Sequence, residues 1–73
     1  MEFKDLKKFY GTGYEFQRKT GISNVYFYRW RDAAAIPLDY QHLLELKTNG
    51  VLKVDFKTSP QYKKFKQLNL LTN

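Results

Sequence analysis

The chain has 73 residues, of which 42% are hydrophobic, and its 13 lysines and arginines against seven acidic residues give a net charge of +6. A chain of this length forms one small domain, and its hydrophobic content is too high for a disordered polypeptide. The absence of cysteine excludes disulfides, a thiol nucleophile and a thiolate metal site. The excess of positive charge indicates a polyanionic partner, with a merely solvated basic surface as the alternative.

Neither a membrane span nor an export signal is predicted. The longest apolar run, residues 33–38, is too short to cross a bilayer. Residues 1–8 are charged and do not have the pattern of a signal peptide. We therefore expect a soluble, cytosolic domain without membrane contact. The charge is unevenly spread, since residues 51–73 hold five lysines and a single acid.

The first two predicted elements are short helices separated by glycines. Apolar side chains at helical spacing predict a helix over residues 2–10, which should end at Gly11. Thr12 is the expected N-cap of a second helix over residues 13–20, and Gly21 ends that helix after two turns.

Two further helices follow on either side of a proline. Ser23 is the predicted N-cap of a third helix, from Asn24 to about Ala34. Pro37 ends that stretch, because proline disfavours helical geometry at the residue before it. A fourth helix is predicted over residues 38–48. The side chains expected to share one face of it are Tyr40, Leu43, Leu44 and Lys47.

The segment after the fourth helix has two interpretations. Asn49-Gly50 is typical of a helix end, but it also suits the tight turn of a hairpin whose second strand covers residues 51–56. Ser59-Pro60 then predicts the start of a last helix. The apolar side chains of that helix recur at every third position, as Tyr62, Phe65, Leu68 and Leu71.

These elements predict a mainly α fold of four to five short helices, with a short C-terminal strand or hairpin left open. Residues 1–58 are expected to form a helix-turn-helix domain, and residues 59–73 a basic tail or short helix. The motif is indicated by the turn glycine and by apolar residues where two steeply crossing helices touch. Those residues are Phe16, Ile22, Phe27 and Trp30. An ordinary helical hairpin with the same packing is the alternative.

Several motifs around this pattern resemble a known family. They are Gly21-Ile22-Ser23, Tyr28-Arg29-Trp30, Ala33-Ala34-Ala35-Ile36-Pro37, Leu44-Glu45, Thr48-Asn49-Gly50 and Leu52-Lys53-Val54-Asp55-Phe56. Through them the stretch from Phe9 to Phe56, about two thirds of the chain, resembles the Cro-type repressors of temperate bacteriophages, in the lambda-repressor-like helix-turn-helix family.

Two positions depart from the family pattern. Gln17 stands where an alanine is usual, so either its side chain bends outward or the two helices lie farther apart. Ala34 stands where a glycine is common, which predicts a longer third helix. Family members end either in helices or in a β-hairpin, and the length of the fourth-helix pattern favours the all-helical form.

The face of the third helix opposite its apolar side presents side chains suited to the major groove of DNA. Arg29 can form two hydrogen bonds to guanine, Asn24 can do the same with adenine, and Val25 can contact a thymine methyl group. The resemblance implies base-reading positions that agree with this face. They are Ser23, Asn24, Val25, Tyr28 and Arg29.

Phosphate contacts are expected at the start of the second helix, where free backbone amides point outward. The residues there are Thr12, Gly13 and Tyr14, with Gln17, Tyr26 and Arg31 as further candidates. Asp32 would repel phosphates, so we expect it to pair with Arg29 or Arg31, with readout of cytosine as the alternative. The lysines of residues 51–73 either add phosphate contacts or stay solvated.

No catalytic or metal site is predicted, and neither a cofactor nor a small-molecule ligand is expected. The single histidine, His42, has a leucine four residues away on each side and therefore no second metal ligand at helical spacing. The carboxylates form no close pair suited to acid–base catalysis. We expect a binding protein rather than an enzyme.

The resemblance implies a transcriptional repressor in the bacterial cytoplasm. It would bind a pseudo-palindromic operator in double-stranded DNA as a homodimer, formed in solution or only on the DNA. The dimer surface is expected at residues 51–56 or at the apolar stripe of the last helix. The main alternative is a protein-interaction module, antitoxin-like or anti-repressor, on the same fold. RNA binding is the weakest hypothesis, because no aromatic platform on a sheet is predicted.

Overall fold

A computed structural model describes residues 1–72, with side chains up to residue 68, and shows five helices. Helices α1 to α5 cover Phe3–Tyr10, Gly13–Thr20, Asn24–Ala33, Leu38–Lys47 and Pro60–Thr72. A 3-10 turn, Phe56–Thr58, precedes α5, and the described residues contain no strand. The predicted mainly α fold with a central helix-turn-helix is therefore confirmed. Among the described residues, no helix has both the length and the apolar character needed to cross a membrane.

α2 and α3 form the helix-turn-helix, and α2 begins and ends at the predicted residues. Thr12 Oγ1 accepts a hydrogen bond from Glu15 N (3.1 Å) at its start. Gly21 takes the left-handed conformation at its end, with φ at 77°, which a glycine adopts without strain. The chain then passes through Ser23, the N-cap of α3, as predicted.

The core under α1, α2 and α3 is built mainly from aromatic rings. Phe16 is fully buried, and its ring centroid lies 5.3 Å from those of Tyr10 and Phe27. The Trp30 ring lies 5.8 Å from it in an edge-to-face arrangement. Ile22 packs against this cluster while remaining half-buried. The predicted contact residues of the helix-turn-helix therefore do meet.

α3 ends one residue earlier than predicted, at Ala33. Ala34 is exposed and takes the left-handed conformation, with φ at 51°. The expectation that alanine at this position would lengthen the helix is wrong. Ile36 is fully buried just beyond, and its N–H donates to Thr58 O (3.0 Å), so the chain has to turn here for Ile36 to reach the core.

The residues predicted to share one face of α4 differ in burial. Leu44 is fully buried and Tyr40 packs against the core, whereas Leu43 and Lys47 are exposed, and Gln41, which was not among them, is fully buried. Gln41 Nε2 donates to Ile36 O (2.8 Å), and Gln41 Oε1 accepts from Asp55 N (2.8 Å). A hydrophobic pattern does not indicate that a polar side chain such as Gln41 lies at the centre of the buried face.

Residues 51–56 form no strand, because their backbone amides bond to side chains of α4 and of Thr48, the residue that follows it. Leu52 N donates to Thr48 Oγ1 (3.0 Å), and Val54 N donates to Glu45 Oε1 (3.0 Å). Gly50 N donates back to Glu45 O (2.8 Å). Asn49-Gly50 is therefore a helix end, and the hairpin alternative is not adopted.

The amino group of Met1 belongs to the same hydrogen-bond network. It donates to Gln41 Oε1 (3.0 Å), Lys53 O (2.7 Å) and Thr58 Oγ1 (3.3 Å). An ammonium group has three N–H donors, and each of them has an acceptor here. The start of the chain is thereby tied to α4 and to the segment before α5.

α5 packs against the 3-10 turn through aromatic rings. The Phe56 ring centroid lies 5.6 Å from that of Tyr62 and 5.8 Å from that of Phe65. Phe65 and Leu68 stay exposed on the helix. Leu71, the last member of the predicted apolar stripe, lies outside the residues whose side chains are described. The molecule is elongated, with extents of 45 × 24 × 17 Å.

Candidate nucleic-acid interface

The outward face of α3 carries a shallow groove. Four of the five predicted base-reading residues line it together with Asp32 and Ala33, and they are Asn24, Val25, Tyr28 and Arg29. Ser23, the fifth, is exposed at the N-cap of the same helix. Val25 and Tyr28 expose 56% and 41% of their surface, so these large side chains are available to a partner.

The charged side chains on this face are held in place by neighbours. Arg31 Nε lies 3.0 Å from Asp32 Oδ1, which confirms the predicted pairing of Asp32. The Arg29 guanidinium lies 5.4 Å from the centre of the Tyr26 ring, at cation–π distance. Across the described residues Arg29 has no acidic partner, so its N–H donors remain free for an external acceptor.

Two backbone amides at the start of α2 have no acceptor within the described part of the chain, those of Gly13 and Tyr14. The acceptors of Thr12 are used by later amides of the helix. Its Oγ1 accepts from Glu15 N, and its carbonyl oxygen accepts from Phe16 N (2.9 Å). Free amides at a helix N-terminus attract phosphate oxygens, because the helix dipole is positive there. Of the three residues predicted to contact phosphate at this end, Thr12 and Tyr14 are exposed, whereas Gly13 is buried.

Glu15, the acid nearest this end of α2, is offset by two bases. Its Oε2 lies 2.7 Å from Arg18 Nη2 and 3.9 Å from Lys19 Nζ. The hydrogen bond from Arg18 lowers the pKa of Glu15, and the same bond raises the pKa of Arg18. The carboxylate therefore stays ionised, but its repulsion of a nearby phosphate is reduced.

Tyr28 connects the start of α2 with the face of α3. A Cβ placed on Gly13 would lie 2.7 Å from both the Cζ atom and the hydroxyl oxygen of Tyr28. The ring therefore covers Gly13, which is buried beneath it. Tyr28 was predicted to read bases, yet it lies beside the end of α2 that was predicted to contact phosphate. No local sequence signal indicates this packing, because the two residues are far apart in the chain.

The start of α3 is capped from within the protein. Ser23 Oγ accepts a hydrogen bond from Val25 N (3.3 Å), and Ser23 O accepts one from Tyr26 N (3.1 Å). Asn24 N donates to Gln17 Oε1 (2.9 Å). Gln17 is exposed, so its side chain bends outward, the first of the two arrangements expected at this position.

The other two candidates for phosphate contact differ in exposure. Arg31 is exposed, whereas Tyr26 is half-buried. The Tyr26 ring packs 6.1 Å from that of Trp30 and 5.5 Å from that of Tyr40, which joins α3 to α4. Desolvation raises the pKa of Tyr40, and the neighbouring Tyr26 raises it further.

The described residues contain no group of three or more histidines and acids that could hold a metal ion.

In comparisons with known proteins, no family model, curated protein or solved structure matches this chain. Its own residues place an exposed face of α3 beside a helix N-terminus with two backbone amides that have no acceptor in the described part of the chain, and the net charge is +6.

Proposed function

We propose that this protein is a sequence-specific DNA-binding transcriptional repressor of the phage Cro type, acting on double-stranded DNA in the bacterial cytoplasm. The observation that carries the proposal is the outward face of α3, whose side chains line one groove. Beside that face lie the free amides at the start of α2. A recognition helix reads base edges with its side chains, while neighbouring helix ends and amides hold the phosphates that fix its register.

The side chains of the α3 face match the base edges of the major groove. Arg29 donates two hydrogen bonds to guanine, and Asn24 pairs with adenine through its carboxamide. Val25 contacts a thymine methyl group. Each bidentate contact contributes about 1–3 kcal/mol of discrimination against the wrong base. The protein acts by binding alone and not as an enzyme.

Selectivity in a genome requires two copies of this small site. One recognition helix covers only a few base pairs, so a homodimer on a pseudo-palindromic operator supplies the missing specificity. The two recognition helices would lie about 34 Å apart, one turn of DNA. The dimer forms in solution or only on the operator. Bound there, it represses by excluding polymerase or a competing regulator.

Selection of bound duplexes from a random DNA library tests the proposal. At about 150 mM salt, non-specific attraction between lysines and phosphates is weakened. We expect a palindrome with half-sites about ten base pairs apart. Arg29→Ala should lower affinity for it roughly 5- to 150-fold and relax one guanine position. An unenriched library, or an unchanged preference in Arg29→Ala, would contradict the proposal.

A charge-matched variant separates base recognition from general attraction. Lys47 is exposed on α4 and carries the same charge as Arg29. Lys47→Ala should therefore leave the selected sequence unchanged, with only a small loss of affinity from the lower net charge.

A second candidate function is favoured by the apolar surface around α5. Phe56, Phe65 and Leu68 expose 40%, 49% and 61% of their surface. Grouped exposed apolar side chains are typical of protein-binding surfaces. The protein would then be an interaction module, antitoxin-like or anti-repressor. This alternative predicts an unenriched DNA library and partner binding that is insensitive to Arg29→Ala but lost in Phe65→Asp.

A further inference from the structure

Gln17 bridges the two helices of the helix-turn-helix from the outside. It lies on α2 about one turn before Gly21, and its Oε1 accepts a hydrogen bond from Asn24 N at 2.9 Å. A small residue is usual at this position in the family that the sequence resembles. Here the long side chain leaves the contact between the helices and stays exposed while it reaches the first residue of α3.

The orientation of the Gln17 carboxamide follows from its partner. A backbone N–H only donates, so the atom that faces Asn24 N has to be the oxygen. The Nε2 group then points away from that amide, and its two N–H donors have no acceptor within the described part of the chain. Because Asn24 lines the α3 groove, these donors stand beside the proposed DNA surface.

The same face of α2 carries other donors for an anion. Residues four apart in a helix lie on one face, so Gln17 lies one turn from Gly13. Gly13 is buried, and the Tyr28 hydroxyl lies over it. The exposed Gln17 carboxamide and the Tyr28 hydroxyl therefore lie on one side of the helix-turn-helix, where a phosphate would approach.

We propose that Gln17 is a positioning residue for DNA recognition that acts through both ends of its carboxamide. Its oxygen fixes the start of α3, and its Nε2 donates to a phosphate oxygen at the edge of the half-site. This inference rests on the proposed function. On this proposal, Gln17 of α2 sets the angle at which Asn24 of α3 enters the major groove of DNA.

Gln17→Glu and Gln17→Ala separate the two roles. Glutamate keeps an acceptor for Asn24 N but loses the donor and adds a negative charge, whereas alanine removes both ends. We expect the Asn24 amide to exchange with solvent several-fold faster in Gln17→Ala than in the wild type and at the wild-type rate in Gln17→Glu. Operator affinity should fall about tenfold in Gln17→Ala and further in Gln17→Glu.

A control and distinct readouts make each outcome decisive. Gln67→Glu adds the same charge at an exposed position of α5 and should lower operator affinity much less than Gln17→Glu. Unchanged exchange of the Asn24 amide in Gln17→Ala would overturn the capping role. Wild-type affinity in Gln17→Glu would overturn the phosphate contact. If the wild-type protein selects no DNA sequence, the proposed function fails, yet the exchange measurement still decides the cap.

Discussion

At the scale of single residues, Gly13 determines where the Tyr28 ring lies. A Cβ at position 13 would stand 2.7 Å from the Tyr28 hydroxyl oxygen, well inside contact distance. The backbone of α2 is held by its helical hydrogen bonds, so the partly exposed ring is the part that would move. The ring therefore covers the start of α2 only because position 13 has no side chain.

Gly13→Ala should weaken operator binding while it changes the free energy of unfolding little. The gain in helix propensity, about 0.5–1 kcal/mol, offsets the displacement of the ring. With Tyr28→Ala already present, the same substitution should be neutral for binding and should stabilise the fold. A double-mutant cycle measured by urea unfolding and operator titration checks this, with an expected coupling of about 1 kcal/mol. Additive effects of the two substitutions would refute the packing argument.

A second residue-scale prediction concerns the strained end of α3. Ala34 is exposed in the left-handed conformation, which penalises a residue with a Cβ. Ala34→Gly should raise the free energy of unfolding by about 0.5–1 kcal/mol. The substitution removes the conformational penalty of an alanine in the left-handed region, and this gain exceeds the cost of the extra conformational entropy that glycine gives the unfolded chain. Ala33→Gly, one residue earlier and helical, should lower it by about the same amount. Chemical denaturation of both variants measures these free energies of unfolding. If both substitutions destabilise the protein, Ala34 is not strained.

At the scale of elements, Gln41 joins α4 to the irregular segment before α5. Its side chain is fully buried, and its oxygen accepts hydrogen bonds from the Met1 amino group and from Asp55 N. Its Nε2 donates to Ile36 O. A single carboxamide thus forms hydrogen bonds with polar groups from three parts of the chain. Because its own oxygen and nitrogen are paired in this way, α4 can place a polar residue in the core.

Gln41→Leu should lower the free energy of unfolding by about 2–4 kcal/mol, because it leaves buried donors and acceptors without partners. Gln67→Leu makes the same change on the exposed surface of α5 and should alter stability by less than about 0.5 kcal/mol. Urea unfolding curves of the two variants provide the measurement. Equal effects in both would mean that the Gln41 network adds nothing to stability.

At the scale of the whole molecule, the amino group of Met1 closes the fold between α1, α4 and the segment before α5. Desolvation lowers the pKa of this group below its ordinary value of 8.0, against a weaker opposing attraction from Asp55 and Asp5. The folded chain therefore holds this proton less tightly than the unfolded chain does. Between the lowered pKa and 8.0, the unfolded state binds more protons than the folded state.

The free energy of unfolding should consequently increase as the pH rises through that window and level off above it. Below the lowered pKa, this contribution to stability is absent. Urea unfolding at several pH values between about 6 and 9 measures the slope. The Nα-acetylated chain lacks the titrating group and should be less stable, without this slope. Stability that falls as the pH rises through the window in the unmodified chain would contradict the prediction.

The sequence allowed the helix-turn-helix to be predicted almost residue by residue, and the rest of the chain less well. The ends of α2 follow from Thr12 and Gly21, and the buried rings of Phe16 and Trp30 follow from helical spacing. On α4, the burial of Leu44 agrees with the apolar spacing, whereas the burial of Gln41 was not predicted, because a glutamine gives no apolar signal. Of the candidate interface, the α3 face was predictable from the same spacing.

Features that depend on neighbouring residues could be recognised from the amino-acid sequence. Caps and turn glycines act within about one turn of a helix, so the limits of α2 and the start of α3 can be recognised without a fold. The polar groups that meet across the chain could be identified only from the folded structure. The bonds of Gln17 to Asn24 and of Gln41 to Met1, and the ring of Tyr28 over Gly13, depend on how the helices pack. Such contacts join distant positions by their geometry, and no local pattern of residues encodes that geometry.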